Sequence, residues 1–96
     1  MTAYVIGHVK VLDAHLWDQY RQSVPETFKN YGAEVMIRAN KMRCLSGQDL
    51  FSDQIVVIRF PNSELIESWY QSESYQQLIS LRDRAAEVHL FSYSGS

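Results

Sequence analysis

Cysteine is almost missing from this chain, and the scarcity constrains it at once. Cys44 stands alone among 96 residues, so no internal disulfide can form and no thiol pair can hold a metal. With two prolines and four glycines there is little punctuation, and no low-complexity segment or internal linker interrupts the sequence. Charge of one sign is lacking too: the formal net charge of -2 argues against a nucleic-acid footprint, which needs a basic face. No apolar run approaches membrane-spanning length, and residues 1–4 lack the charged start and small-residue cleavage site of a signal peptide, so neither membrane nor export is expected. A cytoplasmic setting fits the single thiol. Gly-rich phosphate loops, nucleophile elbows and zinc signatures are all absent.

What is present is pattern. A length of 96 residues makes one domain, residues 1–96, and 12% aromatics speak against disorder. A chain this short buries only about 60–65% of its unfolded surface, so pairing with a second copy would relieve a thin core.

Residues 3–11 (AYVIGHVKV) read as a strand with Val5, Gly7, Val9 and Val11 on one face and Tyr4, Ile6, His8 and Lys10 on the other. Asp13 is a good N-cap for a helix over residues 14–30, whose stripe is Leu16, Trp17, Tyr20, Val24, Phe28 and Tyr31. Pro25 predicts a kink there, and Ser23 with Glu26 has the spacing of a capping box for a restart. Gly32 is the stop. Residues 33–40 alternate, and residues 41–45 are expected to continue as a second strand, either through a tight turn near Asn40 or as one long bent ribbon. Residues 46–53 are a polar connection holding the apolar pair Leu50 and Phe51. Residues 54–60 (QIVVIRF) are the most apolar strand, expected at the sheet centre and ended by Pro61. Asn62 or Ser63 then caps a short helix with Leu65, Ile66, Trp69 and Tyr70. Ser72 or Ser74 caps another, with Tyr75, Leu78, Ile79, Arg82 and Ala86 on one stripe. Residues 87–93 are the last strand, and residues 92–96 look loosely ordered.

The order is that of the split βαβ: an α+β, ferredoxin-like antiparallel sheet with helices on one face. By strict alternation Val5, Val9, Val35, Ile37, Val56, Ile58 and Phe60 lie under the helices, and Tyr4, Ile6, His8, Met36, Arg38, Val57 and Arg59 lie opposite. That second face mixes large apolar groups with charge. Pairing sheet against sheet in a homodimer is the economical way to cover it.

The opening residues 3–6, then Tyr20, Tyr31-Gly32, Arg38, residues 56–62, Trp69-Tyr70-Gln71-Ser72, Tyr75 and Arg82 together resemble domain of unknown function family 1330. The resemblance covers nearly the whole chain and is most specific over residues 60–62 and 69–75. It implies a place in the dimeric α/β-barrel superfamily, in which two ferredoxin-like protomers pair their sheets into one barrel. Relatives there include cofactor-free monooxygenases, haem-degrading enzymes and lactone isomerases. It implies fold and assembly rather than an activity, and no catalytic residue is assigned.

Arginines set among aromatic and aliphatic residues are the main chemical signal. Arg38 could hold a carboxylate ligand or pair with an acid across a dimer seam. Arg59 could crowd it, which would favour a bound anion or an intervening carboxylate. Arg82 could bind an anion at a helix–sheet cleft, or pack its stem while its head reaches water or Glu87. Trp69, Tyr70 and Tyr75, and likewise Tyr20, either fill the core or line a ligand pocket. His8, His15 and His89 have no metal-site spacing, so no metal and no cofactor are expected, although His8 and His89 become neighbours if the first and last strands adjoin. The ligand-contact candidates are therefore Tyr20, Arg38, Trp69, Tyr75, Arg82 and His8. Two readings follow: a small-molecule protein that binds or transforms an apolar acid between sheet and helices, or a non-catalytic dimeric module whose aromatics only pack.

Overall fold

The computed structural model describes residues 1–50 and 52–95. Strand β1 (Ala3–Val11) is followed by helix α1 (Ala14–Phe28), a 3-10 turn (Lys29–Tyr31), β2 (Glu34–Asn40), β3 (Gln54–Phe60), α2 (Ser63–Tyr70), α3 (Glu73–Gln76), α4 (Ile79–Ala85) and β4 (Ala86–Ser94). The four strands lie in the order β2-β3-β1-β4, and every neighbouring pair is antiparallel. The most apolar segment, β3, is interior, as its sequence requires.

Local chemistry sets the boundaries. The Asp13 carboxylate accepts the Leu16 N–H at 3.1 Å and starts α1; the Asn62 side chain accepts the Leu65 N–H at 2.9 Å and starts α2; Ser72 Oγ accepts the Tyr75 N–H at 3.3 Å and starts α3. Gly32 sits at φ 71°, the left-handed conformation that ends a helix with least strain. A side chain there would also meet Pro61 Cγ at 2.9 Å.

Several expectations are corrected. Pro25 does not break α1, which runs through it; Ser23 Oγ bonds back to the Gln19 carbonyl at 2.9 Å instead of capping a new helix. Pro25 is on the exposed side of the helix, where water can serve the carbonyl left without its N–H. Strand β2 ends at Asn40, and residues 41–45 are irregular. Leu50 is exposed, and Phe51 lies outside the described residues. The C-terminal segment is firmer than its composition implied: β4 starts at Ala86 and pairs as far as Ser94 opposite Ala3, while Ser96 lies outside the described residues.

The most consequential correction is a β-bulge. Val35 stands opposite Ile58, but Ile37 stands opposite Val57, so Met36 is an extra residue in β2. A bulge reverses the facing of everything beyond it. Ile37 therefore joins the open face, and Arg38, opposite Val56, joins the helix face, the reverse of strict alternation.

The core between sheet and helices holds Val5, Val9, Ile58 and Phe60 from the strands, Trp17, Tyr20, Val24 and Phe28 from α1, and Ile66, Trp69 and Tyr75 from the segment after β3. The opposite face carries Tyr4, Ile6, His8, Val57, Ile37, Phe91 and Tyr93, with Ile37, Phe91 and Tyr93 about half exposed (50%, 49% and 51%).

Candidate ligand-binding cleft

Between α1 and the sheet lies a cleft with an apolar wall. Its floor is β-sheet: Val9, Val35, Val56, Ile58 and Leu90. Gly7 makes that floor tight, because a Cβ at this position would stand 2.9 Å from Val56 Cγ1 and 3.1 Å from Leu90 Cδ2. Helix α1 supplies the roof with Trp17, Tyr20, Arg21, Val24 and Phe28, and Trp69 closes the inner end. The free space is about 40 Å³, room for roughly three waters.

The charged rim is what the bulge builds. Arg38 lines the cleft and makes no hydrogen bond or ion pair with any described residue. Partial burial, then the nearby Arg21 charge, pulls its pKa below the ordinary arginine value, with Tyr20 acting the other way. Arg21 itself has a partner, Asp18, at 3.2 Å on the exposed side of α1. Two guanidinium groups thus share one apolar opening. Arg59 is not one of them: it faces the open side of the sheet and pairs with Glu34. The crowding expected at Arg38 comes from Arg21 instead.

Deeper in, the polar groups form chains. Trp69 Nε1–H donates to Thr27 Oγ1 at 2.9 Å, and Thr27 donates to the Val24 carbonyl at 2.6 Å. Tyr20 and Tyr75 share a buried phenol–phenol hydrogen bond of 2.9 Å, and Arg82 Nη1 donates to the Tyr75 oxygen at 3.0 Å. Arg82 Nε also donates to Asp83 Oδ1 at 3.0 Å, so the carboxylate it meets is Asp83 and not Glu87. Burial, and then the adjacent Tyr75, push the Tyr20 pKa well above its ordinary value, which keeps it a neutral phenol. Trp17 stacks on Tyr20 with ring centres 5.2 Å apart and 25° between planes. Its buried Nε1–H has no acceptor among the described residues.

The sequence candidates divide three ways. Tyr20, Arg38 and Trp69 line the cleft together. Tyr75 and Arg82 stand behind Tyr20, joined to it through hydrogen bonds but not lining the space. His8 is on the other side of the sheet, directly opposite His89 on β4 and edge-on to Phe91 at 6.1 Å. Trp17 and Arg21 were not singled out from sequence. Trp17 was legible as part of the α1 stripe, but Arg21 carried no signal, since it falls on the polar side of the helix pattern. Among the described residues no group of three or more His, Cys, Asp or Glu could hold a metal ion, and no helix is long and apolar enough to cross a membrane.

A family model described as "Domain of unknown function (DUF1330)" matches residues 2–95. The chain belongs to the DUF1330 family. No curated protein matches it. Among solved structures, this DUF1330 chain is similar to RPA0582, a protein of unknown function from Rhodopseudomonas palustris, with a TM-score of 0.79, 14% identity, and coverage of 99% of this chain and 82% of that one. It is similar to SnoaB, a cofactor-independent oxygenase from Streptomyces nogalater, with a TM-score of 0.71 at 4% identity, covering 99% and 93%. It is similar also to a dimeric ferredoxin-like protein of unknown function from Jannaschia sp. CCS1, with a TM-score of 0.69 at 5% identity, covering 99% and 100%. At such identities the likeness is one of fold. It establishes the ferredoxin-like α+β architecture of this DUF1330 member, and the residues that carry chemistry must be argued from this chain alone.

Proposed function

We propose that this DUF1330 protein is a cytoplasmic homodimer that binds a small apolar carboxylate in the cleft between α1 and the sheet. The observation that carries this reading is the bulge at Met36, which turns Arg38 from the open face onto the helix face, beside Arg21 and over an apolar floor. A guanidinium so placed, with no acid to pair with, supports a bound anion. The apolar wall supports a ligand with a hydrocarbon body. In the free state the space is narrow, so a ligand must part the exposed Arg38 side chain from the roof.

Pairing through the sheet is supported by the half-exposed Ile37, Phe91 and Tyr93 on a face that no helix covers, and by the dimeric ferredoxin-like neighbour. None of the described residues lining the cleft is a carboxylate, histidine, lysine or cysteine. The narrow space favours a second reading, a non-catalytic dimeric module. Thermal-shift screening with aromatic carboxylates and fatty acids separates the two. The binding reading expects a rise in Tm for a subset of acids that disappears in Arg38→Ala. No stabilisation by any acid, with Arg38→Ala indistinguishable from wild type, supports the module.

A further inference from the structure

The sheet register lays one row of residues straight across the floor of the cleft. Arg38 on β2 stands opposite Val56 on β3, Val56 opposite Gly7 on β1, and Gly7 opposite Leu90 on β4. Directly opposed residues share a face, so all four belong to the helix side. Three strand spacings separate the ends of the row, about 14 Å, close to the extended length of a saturated acid of about ten carbons. Arg38 is the charged end, and the other three positions are apolar. The cleft itself, at about 40 Å³, is too small for such a body. A second cavity of about 280 Å³ lies at the far end of the row, between α2 and β4, with Val5, Ile66 and Tyr70 among its walls. Trp69 and Leu90 line both spaces and form the partition between them. The two are not equally fixed. Trp69 is 1% exposed, hydrogen-bonded to Thr27 and packed against the rings of Phe28, Phe60 and Tyr75. Leu90 is only partly buried, and its Cδ2 leans over Gly7, where a Cβ would stand 3.1 Å from it. A change of rotamer at Leu90 uncovers a stretch of floor that carries no side chain.

We propose that Leu90 is a gate between the two cavities, and that the ligand is an unbranched monocarboxylic acid of medium chain length. Its carboxylate meets Arg38, its chain crosses Val56 and Gly7, and its terminal carbons lie against Ile66 beyond Leu90. This rests on the carboxylate reading given above. The exposed Glu67 at the mouth of the second cavity sets that end against a second negative charge, so a diacid of the same length is disfavoured.

The test is a titration of the intact protein with hexanoate, decanoate and sebacate, read by calorimetry and by methyl NMR. Decanoate is expected to bind at least about tenfold more tightly than hexanoate, well within what burial of the added methylenes supplies. Sebacate is expected to bind more weakly than decanoate. The Ile66 methyl signals report the second cavity alone, and those of Val24 and Val35 the cleft alone. Ile66 is expected to shift with decanoate and not with hexanoate, whereas Val24 and Val35 shift with both. Leu90→Phe, which thickens the partition, is expected to bring decanoate down to the affinity of hexanoate and leave hexanoate unchanged. Leu90→Ala, which removes the partition, is expected to keep the preference for decanoate, and the Tm of each variant reports its folding. Equal affinity for hexanoate and decanoate, an Ile66 signal unmoved by decanoate, sebacate binding as tightly as decanoate, or an undiminished preference in a folded Leu90→Phe overturns the gate while leaving Arg38-dependent binding standing. Should Leu90→Phe fail to fold, the wild-type Ile66 shift decides. Binding of none of the acids to wild type overturns the carboxylate reading and the gate with it.

Discussion

Thr27 shows how much a single hydroxyl can hold in a small core. It accepts from the buried Trp69 indole and donates to the Val24 carbonyl, so one atom satisfies both α1 and α2. Thr27→Val keeps the shape and removes the acceptor, leaving an indole N–H buried and unpaired. The expected loss is about 1–3 kcal/mol, read by urea unfolding. Tyr20 makes a second prediction at this scale. Its folded-state pKa is raised, by burial first and Tyr75 next, above the ordinary value of 10.0. The folded protein therefore keeps the phenol proton where the unfolded chain has lost it. The associated stability is fully present below about pH 10 and falls as pH rises further. Urea unfolding of wild type and Tyr20→Phe on either side of that value is expected to show the steeper alkaline decline in wild type. None of these pairings was visible in sequence. The stripe on α1 named Trp17, Tyr20 and Phe28 as inward residues, but which phenol meets which depends on helix offsets that spacing does not encode.

Strand β2 is the element on which the site turns. Alternation placed Ile37 under the helices and Arg38 outside, and it was right for Val35 and wrong two residues later because period-two reasoning cannot locate an inserted residue. For β1 and β3, which carry no bulge, the same reasoning assigned every face correctly. Since Met36 is the surplus residue, deleting it restores regular pairing without moving Arg38 from the helix face. The Met36 deletion is expected to fold, with unfolding free energy within about 1 kcal/mol of wild type, and to keep its Arg38-dependent response to acids. A lost response would place the anion contact elsewhere. Helix α1 offers a different lesson. Pro25 was read as a break, but the packing of Trp17, Tyr20, Val24 and Phe28 against the sheet outweighs one missing N–H on the exposed side. Pro25→Ala restores that hydrogen bond, and is expected to raise stability by about 2 kcal/mol after the gain in unfolded-chain entropy is subtracted.

For the whole molecule, the element order alone led to a ferredoxin-like antiparallel sheet with helices on one side and the most apolar strand inside, because a covered apolar face leaves few alternatives; which strands adjoin, in the order β2-β3-β1-β4, came from the structure. The cleft was less legible. It depends on the bulge, on the absence of a side chain at Gly7, and on Arg21 leaning over from the polar side of α1. The uncovered face carries the assembly prediction. Phe91→Glu places a charge among Ile6, His8 and the opposed strand residues, and is expected to shift the protein from dimer to monomer in sedimentation at micromolar concentration. A wild-type protein that is already monomeric there contradicts the pairing.

The central claim is that Arg38, turned inward, anchors an acid over the α1 aromatic wall. NMR titration with phenylbutanoate tests it most directly, because the two indole N–H signals report separately. Trp17 Nε1–H faces no acceptor, whereas Trp69 Nε1–H is held by Thr27. The account predicts a saturable shift of the Trp17 signal, little change at Trp69, and loss of the effect in Arg38→Ala. A Trp17 signal unmoved in wild type, or moved equally in Arg38→Ala, would contradict it.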